Sequence, residues 1–264
     1  MSIITISRGS YSRGKEVAEK VAQALGYECL SRDILLEASE RFNIPEIKLI
    51  RAIHDAPSIL QRFSYSKEQY VAYIRAALLR HVQKDNVVYH GLAGHYLLQG
   101  IPHLLKVRII ADLEDRVAEE MKREKISAEE ARKILVKDDE ERRKWGIKLF
   151  GTDTWDPNLY DMVIHIKTIR VDAAAEIIRC AVERPCFQTT PESQKLVDEM
   201  SLAARVEAAL VEEIPSVKVE VKDGEVFISL RGALCEDKEL MSRVKRLASN
   251  IAGIEVKVNC LMRP

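Results

Sequence analysis

The chain has 264 residues, enough for one large or two modest domains, and 47% of them are hydrophobic. Acidic and basic residues number 41 each, so the formal net charge is zero and gives no sign of a nucleic-acid partner or an acidic membrane surface. No apolar run reaches the roughly 18 residues that a membrane helix needs, and the first residues enter a strand directly. We therefore expect a cytoplasmic protein with no transmembrane segment and no signal peptide.

The five cysteines show no pattern of a covalent or metal-bound framework. Their number is odd, they are scattered, and no pair has C-x-x-C spacing. These features are typical of reduced thiols rather than of a disulfide framework or a zinc site. We expect no metal site built from them.

The chain begins with the order strand, glycine-bearing loop, helix. A β-branched run at residues 3–6 suits a buried parallel strand, and apolar residues at helical spacing over 17–25 predict a helix that ends at Gly26. Between them, Gly9–Lys15 fits the phosphate-loop pattern G-x-x-x-x-G-K. Glu16 stands where this pattern has a hydroxyl that binds Mg²⁺. The alternative is an ordinary strand–turn–helix connection with a chance Gly-Lys pair.

We predict that this loop and the first helical turn bind the phosphates of a nucleotide. In such a loop the main-chain N–H groups face the anion at the N-terminus of the helix, and the lysine reaches the outer phosphates. The predicted nucleotide-binding residues are Gly9, Ser10, Tyr11, Ser12, Arg13, Gly14, Lys15 and Glu16.

The next stretch offers residues for a second ligand. Asp33 lies in the first turn of a predicted helix, where it either favours the helix dipole or holds a nucleoside hydroxyl or base amino group. Residues 86–91 are typical of a second buried strand that ends in glycine. Because ligands of open α/β sheets bind beyond the carboxyl ends of strands, His90 and His95 are candidates for a phosphate or base contact. A structural role for each histidine is the alternative.

Strands and helices alternate through this part of the chain. The sequence predicts helices at 67–83 and 171–182 and strands at 105–111 and 160–166. This alternation indicates a parallel sheet with helices on its faces.

A densely charged helix is predicted at residues 137–148, after a helix that Asp112 begins and that carries Arg116. Asp139 and Arg142 share one face of the charged helix at i, i+3 spacing. A mobile basic segment is what phosphoryl transfer uses to neutralise the transferring group. A solvated helix face is the alternative.

The pattern changes after residues 183–194, a stretch with two prolines and no apolar periodicity, where we place a domain boundary. Beyond it, Asp223-Gly224 joins two alternating segments and predicts a hairpin. The remaining predicted elements are a helix at 196–211, a helix at 238–251 and a strand at 254–258. The order αββαβ predicts a small α+β domain with one solvated sheet face.

Residues 1–182 resemble the cytidylate kinase-like family of P-loop nucleoside monophosphate kinases. The resemblance rests on the order and spacing of ITISR and its loop, SRDIL, NVVYHGLAGHYLL, ADLEDRV, KDDEERRKW and TDTWDPNLYDMVI. It implies an α/β fold with a parallel sheet flanked by helices, ATP and Mg²⁺ as cofactors, and nucleotide substrates. The chain departs from the family pattern in its Tyr11–Lys15 loop and at Leu92, where the family has an arginine for the acceptor phosphate.

The resemblance also implies roles for residues outside the loop. These are catalytic Lys15, Arg142 and Arg116; acceptor-binding Arg8, Asp33 and His90; and a lid with Asp139, Arg142 and Arg143. Asp156 is implied near the adenine or the lid hinge.

Residues 195–264 look like a BON domain, on the Asp223-Gly224 hairpin and the final Gly253–Val256 stretch. This resemblance implies binding of a small ligand or a protein partner. The expected division is a P-loop kinase-like domain at 1–183, a linker at 184–194 and a BON-like domain at 195–264.

Two functions follow. The first is an ATP-dependent nucleoside monophosphate kinase that transfers a phosphoryl group to CMP or a similar monophosphate. The alternative is a catalytically weakened, nucleotide-binding regulatory protein that signals through its BON-like domain. A third hypothesis, a structural assembly protein that uses the C-terminal domain, does not explain the first 180 or so residues.

Overall fold

The computed structural model describes residues 1–10, 12–31, 33–41, 67–91, 93–215, 217–231, 236–253 and 256–261. In these ranges the strands are β1 Ile3–Arg8, β2 Glu28–Leu30, β3 Val87–Tyr89, β4 Leu104–Ala111, β5 Met162–Ile166, β6 Lys218–Lys222, β7 Glu225–Arg231 and β8 Val256–Leu261. The helices there are α1 Gly14–Leu25, α2 Asp33–Arg41, α3 Lys67–Val82, α4 Gly94–Leu97, α5 Leu113–Glu124, α6 Ala128–Phe150, α7 Val171–Val182, α8 Pro191–Leu210 and α9 Lys238–Ala252. None of these helices has both the length and the apolarity needed to cross a bilayer.

The described residues of the first part form a five-stranded sheet in the order β2-β3-β1-β4-β5, and every pair in it is parallel. The predicted parallel sheet flanked by helices is confirmed. β1 lies at its centre, so the loop after β1 opens at the middle of the carboxyl edge. The sequence did not predict β2, because a three-residue strand with only Leu30 fully buried is too short to show a period.

The two faces of this sheet have different coverings. α1 and α7 pack on the face that holds Ile4 and Ile6, and the residues of these helices and strands form one apolar cluster. On the opposite face, Ile3 belongs to a second cluster with α3, α4 and Trp145 of α6. The alternation of side chains along β1 therefore assigns α1 to one side of the central strand and α6 to the other.

The C-terminal part has the predicted order of one helix, two strands, a helix and a strand. β6 and β7 are antiparallel, and β8 joins β7 in parallel, giving the order β6-β7-β8 among the described residues. Asp223 and Gly224 both have positive φ, 51° and 80°, as a tight hairpin turn requires. The predicted hairpin is confirmed.

The segment at the expected boundary has structure of its own. Pro185–Phe187 forms a turn of 3-10 helix, and the N–H of Thr189 donates to the carbonyl of Met1 at 2.9 Å. The helix predicted from residue 196 begins at Pro191, because Thr190 and Ser193 form a capping box and proline suits the first helical position. The division of the chain into separately folding domains stays a prediction.

α8 packs beside α3 and joins the second part to the first. Arg75 on α3 donates from Nη1 to Glu207 on α8 at 3.4 Å and from Nε to the carbonyl of Leu97 at 3.3 Å. Apolar residues of both parts lie in one cluster on this side of the parallel sheet. Burial raises the pKa of the Glu207 carboxyl.

Candidate phosphate-binding site

The loop between β1 and α1 lies at the carboxyl end of the central strand, where open α/β sheets bind ligands. Gly14 begins α1, and a Cβ placed there would lie 2.7 Å from Cβ of Arg8. A side chain at this position would therefore displace Arg8 or the loop. The glycine that the phosphate-loop pattern requires allows the helix to begin against the end of β1.

Arg13 takes the left-handed conformation directly before α1, with φ 61° and ψ 14°. Glycine adopts this conformation without strain, whereas other L-residues do so at a cost. The guanidinium of Arg13 lies on the surface, 3.4 Å from Glu119 and 4.0 Å from Glu16. The backbone at Arg13 thus has the left-handed conformation that glycine commonly adopts in turns.

Ser12 is fully buried and holds the loop to the sheet. Its hydroxyl lies 3.0 Å from the carbonyl of Gly9 and 3.1 Å from the carbonyl of Ile109 on β4. Because a hydroxyl has one hydrogen, it donates to one carbonyl at a time. The contact fixes the loop against the neighbouring strand.

Arg116, nearly buried on α5, joins the loop to α6. Its Nε donates to the carbonyl of Ser10 at 2.6 Å, and its terminal nitrogens donate to both carboxylate oxygens of Asp139 at 2.8 and 3.0 Å. The Ser10 hydroxyl in turn donates to Asp138 at 3.2 Å. Two carboxylates of α6 are therefore held at the phosphate loop by contacts with an arginine and a serine.

Two further arginines of α6 lie next to each other in sequence and have different contacts. Arg142 donates from Nη1 to the carbonyl of Arg8 at 3.4 Å, which places it at the end of β1. Arg143 binds the carboxylate of Asp153, with Nη2 to Oδ2 at 2.6 Å. The expected lid residues Asp139, Arg142 and Arg143 thus share one helix, but they contact Arg116 of α5, the end of β1 and Asp153, respectively.

Lys15 points along the outer surface of α1. Its ammonium lies 3.6 Å from the carboxylate of Glu19, one turn further on, and its side chain is 62% exposed. Glu16 is exposed as well. The lysine and the arginines of α5 and α6 are therefore not in one cluster in this structure.

The histidine after β3 is buried against the carboxyl edge. His90 has an Nδ1 with no partner among the described residues. Burial, and secondarily the charge of Arg8, lowers the pKa of His90 to about 4. A neutral imidazole lies here at neutral pH. Of the other expected acceptor residues, Arg8 ends β1 and Asp33 is the first residue of α2. Tyr11, expected in the nucleotide-binding loop, and Leu92, where the family has an arginine, lie outside the described residues.

A second cluster of polar side chains lies on the α4 side of the sheet. The sequence did not predict that these residues lie together. The hydroxyl of Tyr160 is 3.4 Å from Nε2 of His95, 3.3 Å from the Ser7 hydroxyl and 3.0 Å from the carbonyl of Thr154. Arg108 of β4 donates to Tyr160 at 3.2 Å. Burial lowers the pKa of His95 to about 3, and the charge of Arg108 adds to the shift.

Arg108 and Asp138 were not predicted as residues of the site. An arginine inside the apolar run of β4 is a signal, because a charged residue in a buried strand needs a partner. Asp138 had no such signal, since it is one carboxylate in a run of charges and its partner Ser10 is 128 residues away.

Comparison with known proteins agrees with this architecture. The sequence model of the Cytidylate kinase-like family matches residues 3–168. A cytidylate kinase of Methanosarcina acetivorans is 32% identical over 105 residues, covering 39% of this chain and 57% of that enzyme. A cytidylate kinase of Thermococcus kodakarensis is 29% identical over 98 residues, 37% of this chain and 50% of that enzyme. The matched segments thus span only about half the length of these curated relatives.

A solved structure, that of an uncharacterized protein from Eubacterium ventriosum, shares the fold. It superposes with a TM-score of 0.54 and 20% identity over 70% of this chain and 100% of its own. The resemblance of residues 195–264 to a BON domain stays a prediction. Because the family match spans residues 3–168, more than half of the chain, the chain belongs to the cytidylate kinase-like family.

Proposed function

We propose that the protein is an ATP-dependent nucleoside monophosphate kinase, acting on CMP or a similar monophosphate. The observation that carries the proposal is the convergence of two arginines on the main chain around the phosphate loop. Arg116 of α5 donates to the carbonyl of Ser10, and Arg142 of α6 donates to the carbonyl of Arg8. Guanidinium groups placed at a phosphate loop suit the negative charge that develops on the transferring phosphoryl group.

The chemistry of the donors fits the phosphates of ATP. Arg116, Arg142 and the backbone of the loop lie around the carboxyl end of β1, and Lys15 lies in the first turn of the adjoining helix, with a long side chain. These groups would bind and orient the phosphates, neutralise their charge and, with α6 over the loop, exclude water. When bound, ATP would supply the phosphoryl group that is transferred.

The residues present also fit a magnesium ion held mainly by phosphate oxygens. Within the described ranges, no three His, Cys, Asp or Glu side chains converge on a metal position. Two oxygen donors at the loop are the Ser10 hydroxyl and the carboxylate of Asp138, 3.2 Å apart. Mg²⁺ commonly keeps several waters and takes one or two carboxylates together with substrate phosphates, so this donor set is sufficient.

A second candidate is a regulatory protein that binds nucleotide with little turnover. It is supported by Lys15, which pairs with Glu19 on the outer surface of α1, and by Glu16 in place of the expected hydroxyl. In this proposal the BON-like residues 195–264 would report the bound state to a small ligand or protein partner. The ion pair between Arg75 and Glu207 is a physical connection between the two parts.

A coupled assay of ADP release tests the proposal. Mg-ATP is supplied with each ribonucleoside monophosphate in turn, and ATP alone measures background hydrolysis. The kinase proposal expects release that depends on one monophosphate and saturates with it. Nucleotide binding by calorimetry with ADP release at background for every acceptor would favour the regulatory protein.

A further inference from the structure

Trp155 is an exposed aromatic side chain that is oriented by contacts with Arg143 and Asp153. Its side chain is among the most exposed large hydrophobics of the described residues, with 52% of the residue surface accessible. The guanidinium of Arg143 lies over one side of the indole, 4.4 Å from the ring centroid. An indole and a guanidinium stacked in this way attract each other by cation–π interaction.

Asp153 fixes both partners of this stack. Its Oδ2 accepts from Nη2 of Arg143 at 2.6 Å, and its Oδ1 accepts from the main-chain N–H of Trp155 at 2.9 Å. The same aspartate thus orients the cation and the backbone that carries the ring. An aromatic surface organised before binding loses little conformational entropy when a ligand stacks on it.

Two sets of contacts connect this stack to the carboxyl end of β1. Arg143 is adjacent to Arg142, which contacts the end of β1. The carbonyl of Thr154, adjacent to Trp155, accepts from Tyr160, whose hydroxyl also lies 3.3 Å from Ser7 of β1. Trp155 is therefore connected to the carboxyl end of the central strand both through Arg143 and through Thr154.

The face of the sheet on which Trp155 lies indicates which of the two nucleotides its ring contacts. α1, which follows the phosphate loop, packs on one face, whereas Leu159 of the 151–160 segment packs against the cluster on the other. There, the Tyr96 hydroxyl of α4 donates to the carbonyl of Thr152 at 3.1 Å, and Gly146 of α6 packs against Thr154. The ring of Trp155 therefore lies across the sheet from α1, and this separation from the phosphate loop and its helix favours a second nucleotide over the donor as its ligand.

We propose that Trp155, backed by Arg143 and Asp153, is the stacking surface for the nucleobase of the acceptor monophosphate. The inference rests on the proposed function and assigns a binding residue that the sequence did not suggest. Base–aromatic stacking tolerates every base, because each base has a π-face. Trp155 therefore contributes affinity for the base without choosing among bases.

Fluorescence isolates this residue, because the chain has two tryptophans and the other, Trp145, is buried. The Trp145→Phe variant leaves Trp155 as the single indole. We expect a saturable change in its emission with a ribonucleoside monophosphate and none with ribose 5-phosphate, which lacks a base. A change only with a non-hydrolysable ATP analogue would assign the ring to the donor and overturn the acceptor assignment.

Calorimetry measures the contribution to affinity. Trp155→Ala should bind the monophosphate roughly tenfold more weakly or worse and ribose 5-phosphate as the wild type does, since stacking involves the base alone. Trp155→Phe should recover most of the loss because it restores an aromatic face, and Trp145 emission reports that each variant is folded. Unchanged affinity in Trp155→Ala, or an equal loss for ribose 5-phosphate, would overturn the inference.

The outcomes separate this inference from the proposed function. A Trp155 response to monophosphates without ADP release supports stacking and rules out the kinase. ADP release with an unchanged acceptor KM in Trp155→Ala supports the kinase and overturns stacking. If Trp155 gives no response and the protein shows no turnover, both the stacking inference and the kinase proposal are overturned.

Discussion

The guanidinium of Arg116 binds the carboxylate of Asp139 through both terminal nitrogens, at 2.8 Å to Oδ2 and 3.0 Å to Oδ1, while its Nε donates to the carbonyl of Ser10. One side chain thus connects α5, α6 and the phosphate loop. Asp139 occupies donors that a phosphate oxygen would otherwise take. Arg116 has five N–H donors, so one on each terminal nitrogen is left for a phosphate oxygen while the pair with Asp139 stays intact.

Removing the charge of Asp139 should weaken the attachment of α6. Asp139→Asn keeps the shape but leaves Arg116 without a charged partner in a nearly buried position, and we expect a loss of about 2 kcal/mol in the free energy of unfolding. Urea denaturation measures it. The control is Glu114→Gln, which removes the exposed pair with Arg132 and should cost under about 0.5 kcal/mol. Equal losses in the two variants would show that the Arg116–Asp139 pair is an ordinary surface pair.

The left-handed backbone at Arg13 predicts an unusual response to substitution. Arg13→Gly should preserve stability or raise it by up to about 1 kcal/mol, because glycine takes this conformation without strain. Arg13→Val should lower stability by about 1 kcal/mol or more, since a β-branched residue is strained at positive φ. Both are compared by chemical denaturation. A glycine variant less stable than the valine variant would contradict the strain at this position.

The buried histidines predict loss of stability in acid. The folded-state pKa values of His90 and His95, about 4 and about 3, lie below the unfolded value of about 6.5. Below pH 6.5 the unfolded chain therefore binds protons that the folded chain does not bind. The free energy of unfolding consequently decreases as the pH is lowered. By pH 4 each histidine should cost on the order of 3 kcal/mol.

Denaturation of His95→Gln between pH 7 and pH 4.5 isolates one of these contributions from the titrating carboxyls. Its stability should fall less steeply than that of the wild type over this range. An unchanged slope in His95→Gln would mean that this histidine does not resist protonation.

Lys15 should contribute to nucleotide binding by leaving Glu19 for the outer phosphates. Lys15→Ala should weaken ATP binding roughly tenfold or more in calorimetry, because a charge-assisted contact is lost. Lys20→Ala removes another exposed lysine of α1, one that pairs with Asp172, and should bind ATP normally. If both variants bind ATP as the wild type does, Lys15 remains a surface residue of α1.

Features encoded locally were predictable from the sequence, whereas contacts between distant residues were not. The helix end at Gly26 and the turn at Asp223-Gly224 follow from residues that tolerate positive φ, and both are confirmed. Asp112 precedes α5 as predicted, but its carboxylate makes no cap bond and pairs with Lys167 and His165 of the next strand and turn. That pairing depends on the sheet order, which no local pattern states.

The candidate site shows the same division. The glycines of the loop were visible in the sequence because their spacing is a local pattern. The partners of Asp139 and Ser10 were not, because Arg116 and Asp138 come from helices brought over the loop by tertiary packing. Asp139 was expected to act with Arg142 on its own helix, yet its carboxylate binds Arg116. The sequence therefore identified the loop and the charged helix but not how they meet.

The turnover of Arg142→Ala tests the kinase proposal most directly. In the ADP-release assay with the best acceptor, kcat should fall on the order of 10³-fold with little change in the KM for ATP, because the arginine acts on charge that develops in the transition state. Arg132→Ala, which alters an exposed arginine of the same helix, should keep wild-type kcat. Wild-type turnover in Arg142→Ala, or an equal loss in both variants, would contradict the proposal.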